Sequence, residues 1–160
     1  MTAVTSRPAR VAGAALLQLA LVASVVSGQL SARLSGDEHT FRVQPVDPID
    51  PFRGAYVTLD YPDLVATNDG IAGEPGDLYL PLVADGEFST AGEPTRTRPS
   101  DGPYLACDDR AWRVQCGIDS WFLPQDDAAA LEDAIRDSAV VARVRVDDRG
   151  NAALVGVTVR

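Results

Sequence analysis

The chain predicts a mainly β (α+β) protein. An N-terminal transmembrane helix precedes a compact β-rich barrel or sandwich-like domain with one packed helix and a C-terminal β-hairpin. Three observations carry this. Val11 to Ala32 hold no charge and are bracketed by Arg10 and Arg33. Roughly seven short runs after residue 40 are strand-like and are separated by Pro, Gly and Asp clusters. One stretch, near 125–138, repeats apolar residues at helical spacing.

The uncharged run comes first. As a helix it spans about 33 Å, enough for a hydrocarbon core of about 30 Å. Arg7 and Arg10 precede it and an acidic domain follows. The positive-inside rule then predicts a short cytoplasmic N-terminus (1–10), a signal anchor (11–32) and an extracytoplasmic domain (36–160). A cleaved signal peptide is the second reading, because the run turns small and polar after Val26 and Val25-Val26-Ser27 suits a cleavage site. A buried cytoplasmic helix is the third, opposed by apolar residues all round the helix.

The strands follow in order. Phe41 to Val46 is extended, and Pro45, Pro48 and Pro51 then form a rigid corner. In the next strand Val57, Leu59 and Tyr61 share an apolar face, while Tyr56, Thr58 and Asp60 share the other. After a loop at 68–76, Asp77 to Val83 predicts a strand, 86–103 an exposed connection with room for a short strand, and Tyr104–Cys107 and Trp112–Cys116 two more strands. Asp126 and Asp127 favour a helix start, Leu131 and Ile135 share its face, and Arg136 suits its end. Val140, Ala142, Val144 and Val146 predict one arm of the final hairpin, and Ala153, Val155, Val157 and Val159 alternate on the return arm.

Composition removes many functions. There are 23 acids against 14 bases, all Arg, for a net charge of −9. Without Arg7, Arg10 and Arg33 the domain keeps 11 Arg against the same 23 acids, or −12. Such a surface repels phosphate backbones, so no nucleic-acid partner is expected. Without Lys there is no Schiff base, pyridoxal-phosphate enzyme, serine–lysine dyad or P-loop. His39 is the single histidine, and the spacing of His and Cys fits no zinc site. Asp108-Asp109 and Asp147-Asp148 lack EF-hand spacing and suit hairpin turns. No metal and no cofactor is expected.

Outside the cytoplasm, Cys107 and Cys116 would form a disulfide worth about 2.5–3 kcal/mol by loop closure. A tight turn at Asp108–Ala111 would instead set Cys107 opposite Trp112. The bridge therefore needs a wider loop, and two buried free thiols remain the alternative.

Two segments resemble one family. Gly54, Tyr56, Leu59 and Tyr61 match Gly-Asp-Tyr-x-x-Leu-x-Tyr, with Ala55 in place of the Asp. Asp47, Pro48, Asp50, Pro51 and Arg53 are similar to its lead-in. Cys116-Gly117-Ile118-Asp119-Ser120-Trp121-Phe122-Leu123-Pro124 is similar to Gly-Ile-Glu-x-Tyr-Phe-Val-Pro. Over roughly residues 10–160 the chain therefore resembles the bacterial GDYXXLXY family. The resemblance implies an N-terminal membrane helix and an exported domain, and it brings no activity. It also implies a multi-spanning membrane protein as partner. Ala55, and Cys116 at an aromatic position, depart from the pattern.

The candidate binding residues are Arg53, Gly54, Tyr56, Leu59, Tyr61, Gly117, Asp119 and Phe122. Arg53 either pairs with Asp47 or Asp50 or binds a carboxylate with its planar fork. Gly54 permits a special backbone angle. Tyr56 and Asp60 either line a groove or decorate an exposed strand. Asp119, beside Trp121 and Phe122, either caps a turn or acts as a general acid, paired with Asp60 as in a glycosidase. The expected function is a non-enzymatic, membrane-anchored binding or accessory module for an envelope or membrane partner. The alternatives are an acid-dependent envelope hydrolase and a purely structural envelope protein.

Overall fold

A computed structural model describes residues 7–45, 56–122 and 140–159. Asp47, Asp50, Arg53, Gly54, Ala55 and the helix predicted at 125–138 lie outside them. Helix α1 (Arg7–Ser35) covers the whole uncharged run. Among the described residues nine strands follow: β1 (Asp37–Arg42), β2 (Gln44–Pro45), β3 (Tyr56–Asp60), β4 (Asp77–Asp85), β5 (Phe88–Ala91), β6 (Tyr104–Asp108), β7 (Ser120–Phe122), β8 (Val140–Val146) and β9 (Ala152–Val159).

The strands make three antiparallel sheets, ordered β1-β8-β9, β2-β3-β7 and β5-β4-β6. A closed barrel needs every strand bonded on both sides. Among the described residues only the middle strand of each trio is, so the barrel expectation gives way to three small sheets around a shared core. Phe41, Leu59, Leu78, Leu80, Leu105, Ile118 and Val144 fill that core. Phe41 meets Tyr61 edge-on at 5.9 Å, joining the first two sheets.

Several boundaries differ from the sequence expectation. The first extended run starts at Asp37 and changes sheets after Arg42. The short strand that the connection at 86–103 had room for does form, as β5 paired with β4. Trp112–Cys116 is not a strand. It contributes only isolated bridges, Thr67 to Arg113 and Asp108 to Gln115, and leaves Trp112 70% exposed. Its hydrogen bonds are split between a loop residue, Ala66, which Val114 reaches, and the last residue of β6, Asp108, which Gln115 reaches, so no continuous ladder forms.

The final hairpin carries a bulge. Val144 opposes Leu154 and Arg143 opposes Gly156, so Val155 is the extra residue. One added residue reverses the inward phase. Ala152 and Leu154 therefore face the core before the bulge, not Ala153 and Val155.

The last turns of α1 pack on the other face of this hairpin. Arg145 Nε donates to Gly36 O at 2.9 Å, and Arg145 also donates to Arg33 O. Arg33 Nη2 donates to Leu154 O at 3.1 Å. Ala32 and Ala153 are fully buried there. At Gly36 a Cβ would lie 2.6 Å from Ala32 O and 2.8 Å from Val146 C, so only glycine lets the helix end this close to β8.

Candidate functional site

The two motif segments are two sides of one ladder. In β3 and β7, Tyr56 opposes Phe122, Val57 opposes Trp121 and Thr58 opposes Ser120. Just ahead of β7, Asp119 O accepts from Leu59 N at 2.9 Å, and Ile118 O accepts from the Tyr61 hydroxyl at 2.7 Å. Leu59 and Tyr61 are buried, as their shared strand face predicts. Burial pushes the Tyr61 phenol far above its usual range, and the charges of Asp119 and Asp60 add to that. Tyr61 is thus an uncharged donor tying one motif to the other. Gly117 turns the chain into β7 with φ near 74°, a left-handed angle that favours glycine.

A cleft of about 190 Å³ opens beside this ladder, between β3, residues 64–66 and residues 113–119. Asp60 and Asp119 both line it. Asp60 Oδ1 accepts from Arg113 Nη2 at 2.9 Å, and Oδ2 accepts from Gln44 Nε2 at 2.6 Å. Both oxygens of this carboxylate are therefore engaged in tying β2, β3 and the 113 segment together. Asp119 is exposed, and among the described residues its carboxylate accepts no hydrogen bond. Arg113 and Gln44 were not legible as partners, because each lies far from Asp60 in sequence.

Cys107 and Cys116 are joined, with S–S 2.04 Å and Cα atoms 4.2 Å apart. The wide loop comes from Asp108 and Gln115, which exchange both backbone bonds at 2.9 and 2.8 Å. The next pair outward, Cys107 and Cys116, is then a close non-hydrogen-bonded pair. Inside the loop Asp109 is fully buried. It takes two bonds from Arg96, at 2.7 and 2.6 Å, and one from Gly76 N at 2.7 Å. The Arg96 guanidinium, helped by the Gly76 amide, outweighs burial and holds the Asp109 carboxyl down at about 2. The sequence marks Asp109 only as a turn residue, and the turn is not what it makes.

At the helix end Asp147 is the hub. Its Oδ1 accepts from Arg149 N at 2.9 Å and Asn151 N at 3.0 Å, and Oδ2 accepts from Ser31 Oγ at 2.5 Å. Burial raises its carboxyl, but bonds from Asn151, Ser31 and Arg149 win and hold it below the usual range. The hairpin turn thus also grips α1.

A family model described as GDYXXLXY protein matches residues 18–157. The chain belongs to the GDYXXLXY family. That match runs from inside α1 to inside β9 and includes both sides of the motif ladder. No curated protein and no solved structure matches the chain. Within this GDYXXLXY domain Leu59, Tyr61 and Gly117 serve the fold directly. Asp60 and Asp119 share the cleft. The side chains of Tyr56 and Phe122 lie outside the described residues, as do Arg53 and Gly54.

Proposed function

We propose that this GDYXXLXY protein is a membrane-anchored module that acts outside the cytoplasm by binding or assisting a membrane partner, without chemistry of its own. One observation carries the reading. Helix α1 is long and apolar enough to cross a membrane, and its apolar side chains stay exposed along its length (Val25 is 80% exposed) while its last turns are built into the β8–β9 hairpin. Water is a poor solvent for such a helix, whereas lipid or another membrane helix is a good one. The basic residues at the start of α1 and the disulfide after it both favour an exported domain.

The test is co-purification from membranes in mild detergent at native expression level. A multi-spanning membrane protein should come with the chain, and recovery of the chain alone would count against a partner. A reporter fused at the C-terminus should be active only outside the cytosol. A second reading, an envelope hydrolase, draws on Asp60 and Asp119 lining one cleft. Asp60→Asn and Asp119→Asn should then each abolish release of cell-wall fragments without unfolding the domain. The engagement of Asp60 by Arg113 and Gln44 disfavours it.

A further inference from the structure

A second groove, of about 440 Å³, opens between the last turns of α1 and the segment 117–121. Gln29, Arg33, Asp119, Ser120 and Trp121 line it. Two opposite charges face this groove without pairing. Arg33 spends one donor on Leu154 O, and among the described residues no carboxylate reaches it. The Asp119 carboxylate is free in the same sense.

Depth along the helix decides what such a groove meets. From Val11 to Leu30 a helix covers about 30 Å, the thickness of the hydrocarbon core. Gln29 then sits at the edge of that core, and Arg33, one turn further on, falls at the level of the lipid heads. The helix face that leads to them, Val22 then Val25, is apolar and exposed. One face therefore reads tails first and heads second. Trp121 in the groove wall suits the same boundary.

We propose that this groove holds the head of a zwitterionic phospholipid bearing a primary amine, with its phosphate on Arg33 and its ammonium on Asp119. The inference rests on the membrane reading of α1. A guanidinium matches a phosphate with two parallel donors. An ammonium offers hydrogen bonds to a carboxylate that a quaternary amine lacks. A purely anionic head would satisfy Arg33 but would face Asp119 and a domain with a net charge near −12 from its 11 Arg and 23 acids.

The test uses the full-length chain in nanodiscs containing equal parts of phosphatidylethanolamine, phosphatidylcholine and phosphatidylglycerol. Native mass spectrometry after release reads the retained lipid. Phosphatidylethanolamine should be retained above the other two. Arg33→Gln and Asp119→Asn should each lower its retention by roughly tenfold or more. Asp119→Asn should melt like the parent, because its carboxylate accepts no bond among the described residues. Equal retention by Asp119→Asn, or preference for either other lipid, overturns the assignment. Flotation of the same chain with liposomes separates the two levels. A chain that floats but retains no phosphatidylethanolamine refutes the groove alone, and a chain that does not float refutes the membrane reading with it.

Discussion

Two aspartate–arginine pairs flank the disulfide, and they differ in their access to water. Asp109 and Arg96 meet in a closed junction of three loops, where the Asp109 side chain is 1% exposed. Asp60 and Arg113 meet on the wall of an open cleft, with side chains 17% and 32% exposed. Geometry already favours the first pair, which makes two bonds at 2.7 and 2.6 Å against one at 2.9 Å. Removing Arg96 leaves a carboxylate that water cannot reach, and removing Asp109 takes the anchor from a guanidinium that is 26% exposed. Removing Asp60 or Arg113 leaves a group that the cleft can hydrate. The pair outside the motif is therefore the structural pin, and the pair inside it is the adaptable one.

The largest effect should come from the closed junction. Asp109→Asn should cost about 3 kcal/mol, read by denaturant unfolding of the full chain in detergent. A loss below that of Asp60→Asn would reverse the comparison. The pH dependence has a defined sign. The folded carboxyl sits at about 2, below its ordinary 3.8. Its stabilisation is complete above pH 4 or so and is lost as pH falls through about 2. In Asp109→Asn that part of the acid unfolding curve should vanish.

Cys107→Ser with Cys116→Ser comes next, at about 2.5 kcal/mol from the freed loop. This change touches both regions, since Cys116 lines the cleft and Asp109 lies within the bridged loop. Asp60→Asn should cost about 1 kcal/mol or less. A double-mutant cycle with Arg113→Gln should return a coupling smaller than the Asp109–Arg96 cycle does.

The smallest effect belongs to His39. Its Nδ1 lies 3.0 Å from Ser89 Oγ, while its Nε2 is buried without a partner. Burial lowers its affinity for a proton, and Asp37 opposes this in part. Its contribution to stability is full above pH 6.5 or so and falls as pH drops toward the lowered folded value. His39→Gln should flatten that shallow slope and leave the steep acid limb of Asp109 in place.

Much of the fold was legible wherever a local pattern had one physical outcome. The uncharged run became α1, and the alternation around Leu59 and Tyr61 became a half-buried strand. The register shift in β9 was not legible, because a bulge leaves no mark in a run of Ala, Leu and Val. The cleft was half legible. Asp60 and Asp119 stood out as acids beside aromatics, but the partners of Asp60 did not, because Gln44 and Arg113 reach it from remote segments.

By itself, then, the sequence determined what local chemistry can determine. That is an apolar helix ahead of an acidic, Lys-free β domain, family motifs at fixed places, and two cysteines with a loop to close. Only the tertiary structure decided which charges became pins and which stayed free. Asp109, Asp60, Asp119 and Asp147 are the same residue type in similar polar stretches, and they differ in the groups that distant segments bring against them. That assignment depends on contacts across the fold, which a run of neighbouring residues does not encode.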